Sequence, residues 1–255
     1  MDIVLTYIHH NCFCLRAEGR VLVFDYPTAE HRSPGARDAV RRAVAGHRAV
    51  VLFSHSHADH CSPDVALAVR DATEVRYVLS YDVPEMVPQL DPEAGLAGAV
   101  VVEPGDVPGG GSVGEAVRVD EDLSVRALES NDLGVAFLID LGRLRVYFGG
   151  DLAAWVWPEM EPQAAEFTRG FFARSLEAVR DFAPHVAFTD CDYRLPGWAG
   201  FEEFATSVRP QVLVPTHDFG MPDVVREYAG TIQVPNVGVV TYERTGDETR
   251  VTITP

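Results

Sequence analysis

The stretch VLFSHSHADHCSPDV, Val51–Val65, places three histidines and an aspartate within six residues, directly behind a short apolar run. AVVLFS reads as a buried strand and Ser62-Pro63 as the start of a helix over PDVALAVRDA, so His55, His57, Asp59 and His60 fall on a turn at the C-terminal edge of a strand. Sites of α/β proteins gather at such edges. His55 and His57, two apart, can point together toward one ion, while Asp59 and His60 can face a second. Imidazole with carboxylate is the ligand mix of Zn²⁺ and is acceptable to Fe or Mn. The plain alternative is an exposed turn decorated with polar residues, but H-x-H-x-D-H between strand and helix points to metal.

Outward from this cluster, the chain opens with β-like runs at DIVLTYI, CFCLRAE and VLVFDY, the last stopping at Asp-Pro-type punctuation. SPGARDAVRRAVAGH then has helical spacing, which with AVVLFS gives a β-helix-β unit, and VRYVLS follows as another strand. EPGDVPGGGSVGEA, Glu103–Ala116, is rich in Gly and Pro and must be loop. Beyond it come β-like runs at AVRV, LSVRALES, GVAFLID and RLRVYFGGD, a helix from about Gln163 to Phe182, the strand HVAFTD, a helix near FEEFATSV, the strand QVLVPTH and a closing strand TRVTIT. The expected organisation is a single domain over 1–255, built of two similar halves (roughly 1–103 and 115–255) with a sheet-on-sheet core and helices outside.

The cluster resembles the signature of the metallo-β-lactamase superfamily, H-x-H-x-D-H after a buried strand. That resemblance runs over nearly the whole length and implies an αββα sandwich, a four-layer α/β fold of two mixed sheets flanked by helices, with one or two metal ions at the sheet edges. It matches further residues one by one. Asp25 in VLVFDYP corresponds to an aspartate that supports the turn carrying the cluster. Asp151 in VYFGGDL corresponds to a carboxylate that bridges two ions, and His217 in VLVPTHDFG to a late histidine ligand. One ligand departs from the pattern: where most members have a histidine, in H-x-x-x-[SG]-V-x-F, this chain reads SNDLGVAF and Ser130 takes the place. A hydroxyl is the weaker zinc ligand, and Asp132 or His10 are candidates to fill in. The chain is similar to a subgroup with S-T-D-x-G-V at that motif and a Trp-rich segment after the Gly-Asp, here GDLAAWVW.

Other residues carry weaker signals. Strand alternation through IHHNCFC places His10, Cys12 and Cys14 on one face, and buried thiols are more often core than ligand. Arg194, beside Asp190 and Asp192, has the fork to clamp an anionic substrate or to form an ordinary ion pair. Trp155 and Trp157 suit either a substrate wall or the core. GGGSVG, Gly109–Gly114, satisfies both G-x-G-x-x-G and G-x-S-x-G on paper, but lacks the strand and helix that either motif requires.

Composition bounds the function. The formal charge of −17 arises from 38 acidic against 21 basic residues, every one of the latter Arg. The arginines are scattered among acids, so no nucleic-acid partner is expected. Four unevenly placed cysteines make no disulfide framework and suit a reducing cytoplasm. No window approaches the ~18 apolar residues of a membrane span, so no membrane association is expected. The expected activity is that of a metal-dependent hydrolase, with one or two Zn²⁺ (Fe or Mn also acceptable) and a metal-bound hydroxide, oriented by Asp59, attacking a small ester, lactone or phosphoester. An iron-dependent thiol or persulfide oxidoreductase of the same fold, and a non-catalytic metal-binding protein, are the alternatives.

Overall fold

The computed structural model describes residues 1–94, 96 and 98–254. Its contacts divide the chain into two compact units, the first of Met1–Val101 with Tyr242–Pro255 and the second of Val102–Thr241. Each is a mixed seven-stranded sheet with helices.

In the first unit the strands are β1 (Asp2–His9), β2 (Cys12–Ala17), β3 (Arg20–Phe24), β4 (Arg48–Phe53), β5 (Glu74–Ser80), β6 (Ala99–Val102) and, from the chain's end, β14 (Glu248–Thr252), in the order β14-β1-β2-β3-β4-β5-β6. β1, β2 and β3 form an antiparallel meander, and β3, β4 and β5 run parallel. Parallel neighbours need crossovers, and α1 (Ala36–Val44) supplies the first. Its Ala36, Ala39, Val40, Ala43 and Val44 are buried at helical spacing, in one cluster with Cys14, Val23 and Val51 of the sheet.

The second unit repeats the scheme. β7 (Val117–Arg118), β8 (Ser124–Glu129), β9 (Val135–Asp140) and β10 (Arg145–Phe148) pair antiparallel, while β10, β11 (Val186–Asp190), β12 (Val212–Thr216) and β13 (Gly238–Val239) pair parallel. The helix α4 (Pro162–Phe182) crosses from β10 to β11 and α5 (Phe201–Val208) from β11 to β12, and Phe171, Phe172, Phe201 and Phe204 bury against Tyr147 and Leu213.

Most elements lie where the sequence places them, with three differences. The helix expected from Ser62-Pro63 is a single turn, α2 (Val65–Ala68). Val65, Ala68 and Val69 are its inward positions, and the chain must turn back at once to begin β5 at Glu74. The strand expected through IHHNCFC is broken, because His10 and Asn11 form the β1–β2 hairpin turn with His10 at φ +55°. Alternation therefore does not carry across it, and Cys12 and Cys14 point into the helix-side core. The closing strand β14 pairs with β1, not with the second half. The periodicity reading also misses the one-turn α3 (Val83–Met86), α6 (Pro222–Ala229) and the short strands β6 and β13.

The glycine loop that mimics two catalytic motifs has a packing role. The backbone N–H groups of Gly109 and Gly110 donate to Glu129 Oε2 at 3.1 and 2.9 Å, and that of Gly111 to Ser175 Oγ at 3.2 Å. A Cβ on Gly110 would lie 2.4 Å from the Phe171 carbonyl oxygen, and φ there is +97°. Only glycine lets the loop lie this close to α4. All four cysteines are free and buried, and among the described residues no helix is long and apolar enough to cross a membrane.

Gly110→Ala is accordingly expected to lower the unfolding free energy, measured by urea denaturation, by more than the about 1–3 kcal/mol that a left-handed non-glycine residue costs on its own. Gly142→Ala (φ +72°, nothing within 4 Å of the added Cβ) measures that backbone cost separately. Equal losses in the two variants would show that the close approach to α4 is unimportant.

Candidate functional site

The chemistry-bearing residues of both units follow the C-terminal ends of parallel strands. Asp25 follows β3, Ser54 and His55 follow β4, and Asp82 comes just after β5. In the second unit Asp151 comes after β10, Asp190 ends β11 and His217 follows β12.

In the first unit the rings of His55 and His60 lie 4.0 Å apart and those of His55 and His57 4.6 Å apart. His55 and His60 are fully buried, while His57 is exposed. Asp25, at 0 % exposure, organises them. Its Oδ1 accepts the Ser54 backbone N–H at 2.8 Å, and its Oδ2 accepts the Ser54 hydroxyl at 2.6 Å and faces His60 Nδ1 at 2.9 Å. Ser54 Oγ in turn lies 2.9 Å from His55 Nδ1. The valences then decide the tautomers. The single Ser54 hydroxyl proton goes to Asp25, so Ser54 Oγ can only accept from His55 Nδ1–H. His60 Nδ1, facing a carboxylate, also carries its proton. Both rings therefore turn an Nε2 lone pair outward, the arrangement that imidazole ligands use when an outer partner fixes the ring. Asp25 is within ligand distance of the pair, but these bonds make it their support. Burial pushes its pKa up, against the lowering by His60 and Ser54.

The rest of the cluster closes around this core. Asp82 Oδ2 accepts the Ser56 N–H at 2.8 Å and steadies the histidine loop. Asp59 Oδ2 lies 3.6 Å from His10 Nε2 and 3.9 Å from His60 Nε2. His10 is buried, its ring 5.3 Å from that of His60, so the hairpin turn delivers it to the cluster.

The second unit inverts the ratio of donors, with one imidazole among three carboxylates. His217 Nε2 lies 3.4 Å from Asp151 Oδ1, and its Nδ1 lies 3.5 Å from Asp190 Oδ1 and 3.4 Å from Asp192 Oδ2. All four residues are buried. Burial would lower the His217 pKa, but Asp190, Asp151 and Asp192 outweigh it and hold it well above the usual range. With a proton on Nδ1, the Nε2 lone pair and the Asp151 carboxylate face each other at a distance that only a cation, a proton or a metal ion, makes favourable. The donor chemistry in both units thus fits a divalent metal. His10, Asp25 and His217 all have positive φ, +55°, +39° and +64°, a strain that collects at functional positions.

Around His217 stand aromatic residues. Trp155 donates its indole N–H to the Asp151 carbonyl at 2.7 Å and sets its ring edge-on at 5.2 Å from His217, with Phe219 at 4.6 Å. Trp155 stacks on Trp157, and Trp157 borders a cavity of about 900 Å³ that Met160, Arg169, Glu202 and Tyr228 also line. Arg194 is held bidentate on Asp192, Nε donating to Oδ1 and Nη2 to Oδ2. Ser130 is half-buried and its hydroxyl accepts the Asp132 N–H at 3.4 Å, while Asp132 is exposed. Asn131 between them is the residue that reaches the Asp151 loop, with Nδ2 to the Ala153 carbonyl at 2.7 Å and Oδ1 to the Ala153 N–H at 3.2 Å.

Ser54, Asp82 and Asn131 were not singled out in the sequence. Asp82 has a usable signal, a carboxylate just beyond the next parallel strand, where Asp25 and His55 already stand. Asn131 has none, because its role depends on a loop more than twenty residues away.

The model of one protein family, described as the beta-lactamase superfamily domain, matches residues 4–165. The chain belongs to this superfamily. No curated protein matches it by sequence. Among solved structures, the superfamily chain is similar to Igni18, a metallo hydrolase of the archaeon Ignicoccus hospitalis, at 16 % identity and TM-score 0.67 over 100 % of both chains. It is similar to YhfI of Bacillus subtilis, a metallo-β-lactamase fold protein, at 14 % identity and TM-score 0.59, covering 98 % of this chain and 100 % of that one. It also resembles CmlA, a diiron β-hydroxylase of Streptomyces venezuelae, at 16 % identity and TM-score 0.50, over 84 % of this chain and 44 % of that one. At such identities the likeness establishes the fold, which is the metallo-β-lactamase fold.

Asp25→Ala removes the acceptor of two imidazole supports at once. It is expected to destabilise the protein by about 2–4 kcal/mol and to weaken metal binding about 10–100-fold, read by chemical unfolding and by competition with a chromophoric chelator. Native-like metal affinity in this variant would contradict the supporting role.

Proposed function

We propose that the protein is a metal-dependent hydrolase of a small ester, lactone or phosphoester, with His55, His57, Asp59, His60, Asp151 and His217 as its ligands and one or two zinc ions as its cofactor. The observation that carries this reading is the Asp25–Ser54 network, which engages Nδ1 of two buried histidines and so makes Nε2 the basic nitrogen of each. A bound ion would supply Lewis acidity and lower the pKa of its water from ~15.7 to about 7. Asp59, whose side chain is 31 % exposed, orients the attacking water and takes its proton at Oδ2. Asp151 would be a ligand to the bound metal, its loop pinned by Asn131 and Trp155. Trp155 and Trp157 wall the substrate and exclude bulk water from His217. With Ser130 in the histidine's place, the ligand set is asymmetric: His60, Asp59, Asp151 and His217 for one ion, and only His55, His57 and Asp151 for the other. Four buried, free cysteines fit a reducing compartment, the cytoplasm.

A second reading, an iron-dependent oxidoreductase, draws on the resemblance to the diiron enzyme and on a donor set that iron also accepts. Bound iron with oxygen consumption on thiol substrates would favour it over zinc with ester, lactone or phosphodiester turnover.

Purified protein should carry at least one transition metal per chain by elemental analysis, and His60→Ala combined with His217→Ala should remove it. Full metal in that double variant would refute the ligand assignment. Ser130→His should raise affinity for a second ion; an unchanged zinc stoichiometry would argue that the third histidine is not what limits that site.

A further inference from the structure

Asp192 sits at 0 % side-chain exposure beside the His217 imidazole, and an unpaired carboxylate there would be costly. Arg194 answers it. Its Nε lies 3.0 and 3.1 Å from the two Asp192 oxygens, its Nη2 lies 2.6 Å from Oδ2, and its backbone N–H donates to Oδ1 at 2.9 Å. The guanidinium is itself held from the side. Its Cζ stands 3.9 Å over the Phe219 ring and 5.6 Å over that of Trp157, which fixes a flat cation between aromatic surfaces. Both rings belong to the His217 surroundings, since Phe219 packs edge-on against His217 and Trp157 stacks on Trp155, which packs on His217 from elsewhere in the unit.

We propose that Arg194 is a positioning residue for the His217 ligand: it fixes Asp192, and Asp192 Oδ2, 3.4 Å from His217 Nδ1, keeps the imidazole turned with Nε2 toward Asp151. This rests on His217 being a ligand, as read above. The role is geometric, and charge alone does not meet it. Asp192 needs two parallel N–H donors in one plane to leave Oδ2 aligned with the imidazole, and the plane is set by Phe219 and Trp157. A lysine ammonium supplies the charge but neither the fork nor the stacking face. Arg194 is accordingly neither ligand nor proton donor, and acts through Asp192 alone.

The test is zinc titration of the full chain in competition with a chromophoric chelator. Arg194→Ala should weaken binding about 10-fold or more, the size of effect that outer partners of metal histidines have. Arg194→Lys should remain weak. Low-millimolar guanidinium should restore part of the affinity of Arg194→Ala, whereas equal sodium chloride should not. Arg226→Ala, which breaks an exposed ion pair with Asp223 in the same unit, should bind zinc as the native chain does. Unchanged affinity in Arg194→Ala, or full affinity in Arg194→Lys, overturns the proposal. A second readout separates it from the metal reading: in metal-free protein, a slowly exchanging His217 Nδ1–H resonance should be present natively and lost in Arg194→Ala. If the native chain takes no zinc, the metal reading fails while this resonance still decides the role of Arg194, and its persistence in Arg194→Ala overturns that role.

Discussion

Burying a carboxylate among apolar strands is expensive unless its oxygens are filled, and Asp25 meets that condition with the very groups it has to orient. The backbone N–H and hydroxyl of Ser54 and the imidazole of His60 occupy it, and the hydroxyl passes the constraint on to His55. The residue is held at positive φ while its own N–H bonds the Leu52 carbonyl at 3.0 Å, so the strand edge fixes the backbone that carries the carboxylate. One side chain thereby sets the tautomer of two buried histidines and steadies the loop that carries them.

The two units solve the same problem with opposite stoichiometry. In the first, one carboxylate serves several imidazoles; in the second, several carboxylates surround one imidazole. Both depend on parallel strands ending together, which brings the loops after three strands to one edge without long excursions. The antiparallel hairpins that begin each sheet contribute less, the exceptions being His10, delivered by the turn between β1 and β2, and Asn131, from the turn between β8 and β9. The acidic ring around His217 would be a liability in isolation, and Arg194 is the cation that balances part of it.

Much of this was legible in the sequence because it depends on local pattern. H-x-H-x-D-H behind an apolar run, a Gly-Asp ending one strand and a lone histidine ending another are readable without coordinates, and the strands around them alternate or run apolar as buried strands must. The partner of β14 was not legible, since a five-residue strand carries no mark of which sheet it joins. Nor was the shortness of α2, which is set by where β5 has to start. The glycine loop shows the opposite error to which motif reading is open: three adjacent glycines imitate a phosphate loop, yet they are there because α4 lies against their backbone. Ser130 drew attention as a replaced ligand, whereas the residue beside it, Asn131, makes the contact that holds the Asp151 loop.

The pairing of β1 with β14 also has a bearing on synthesis. The first sheet has its outer strand supplied by a segment that is synthesised only after the entire second unit has been made. Until then β1, apolar along most of its length, offers an open row of N–H and C=O groups to any passing chain. Nascent protein stalled before Tyr242 is thus the form most prone to mispair, and the newly translated chain has reason to need a chaperone at a stage when the loops carrying His55, Asp151 and His217 have already been made.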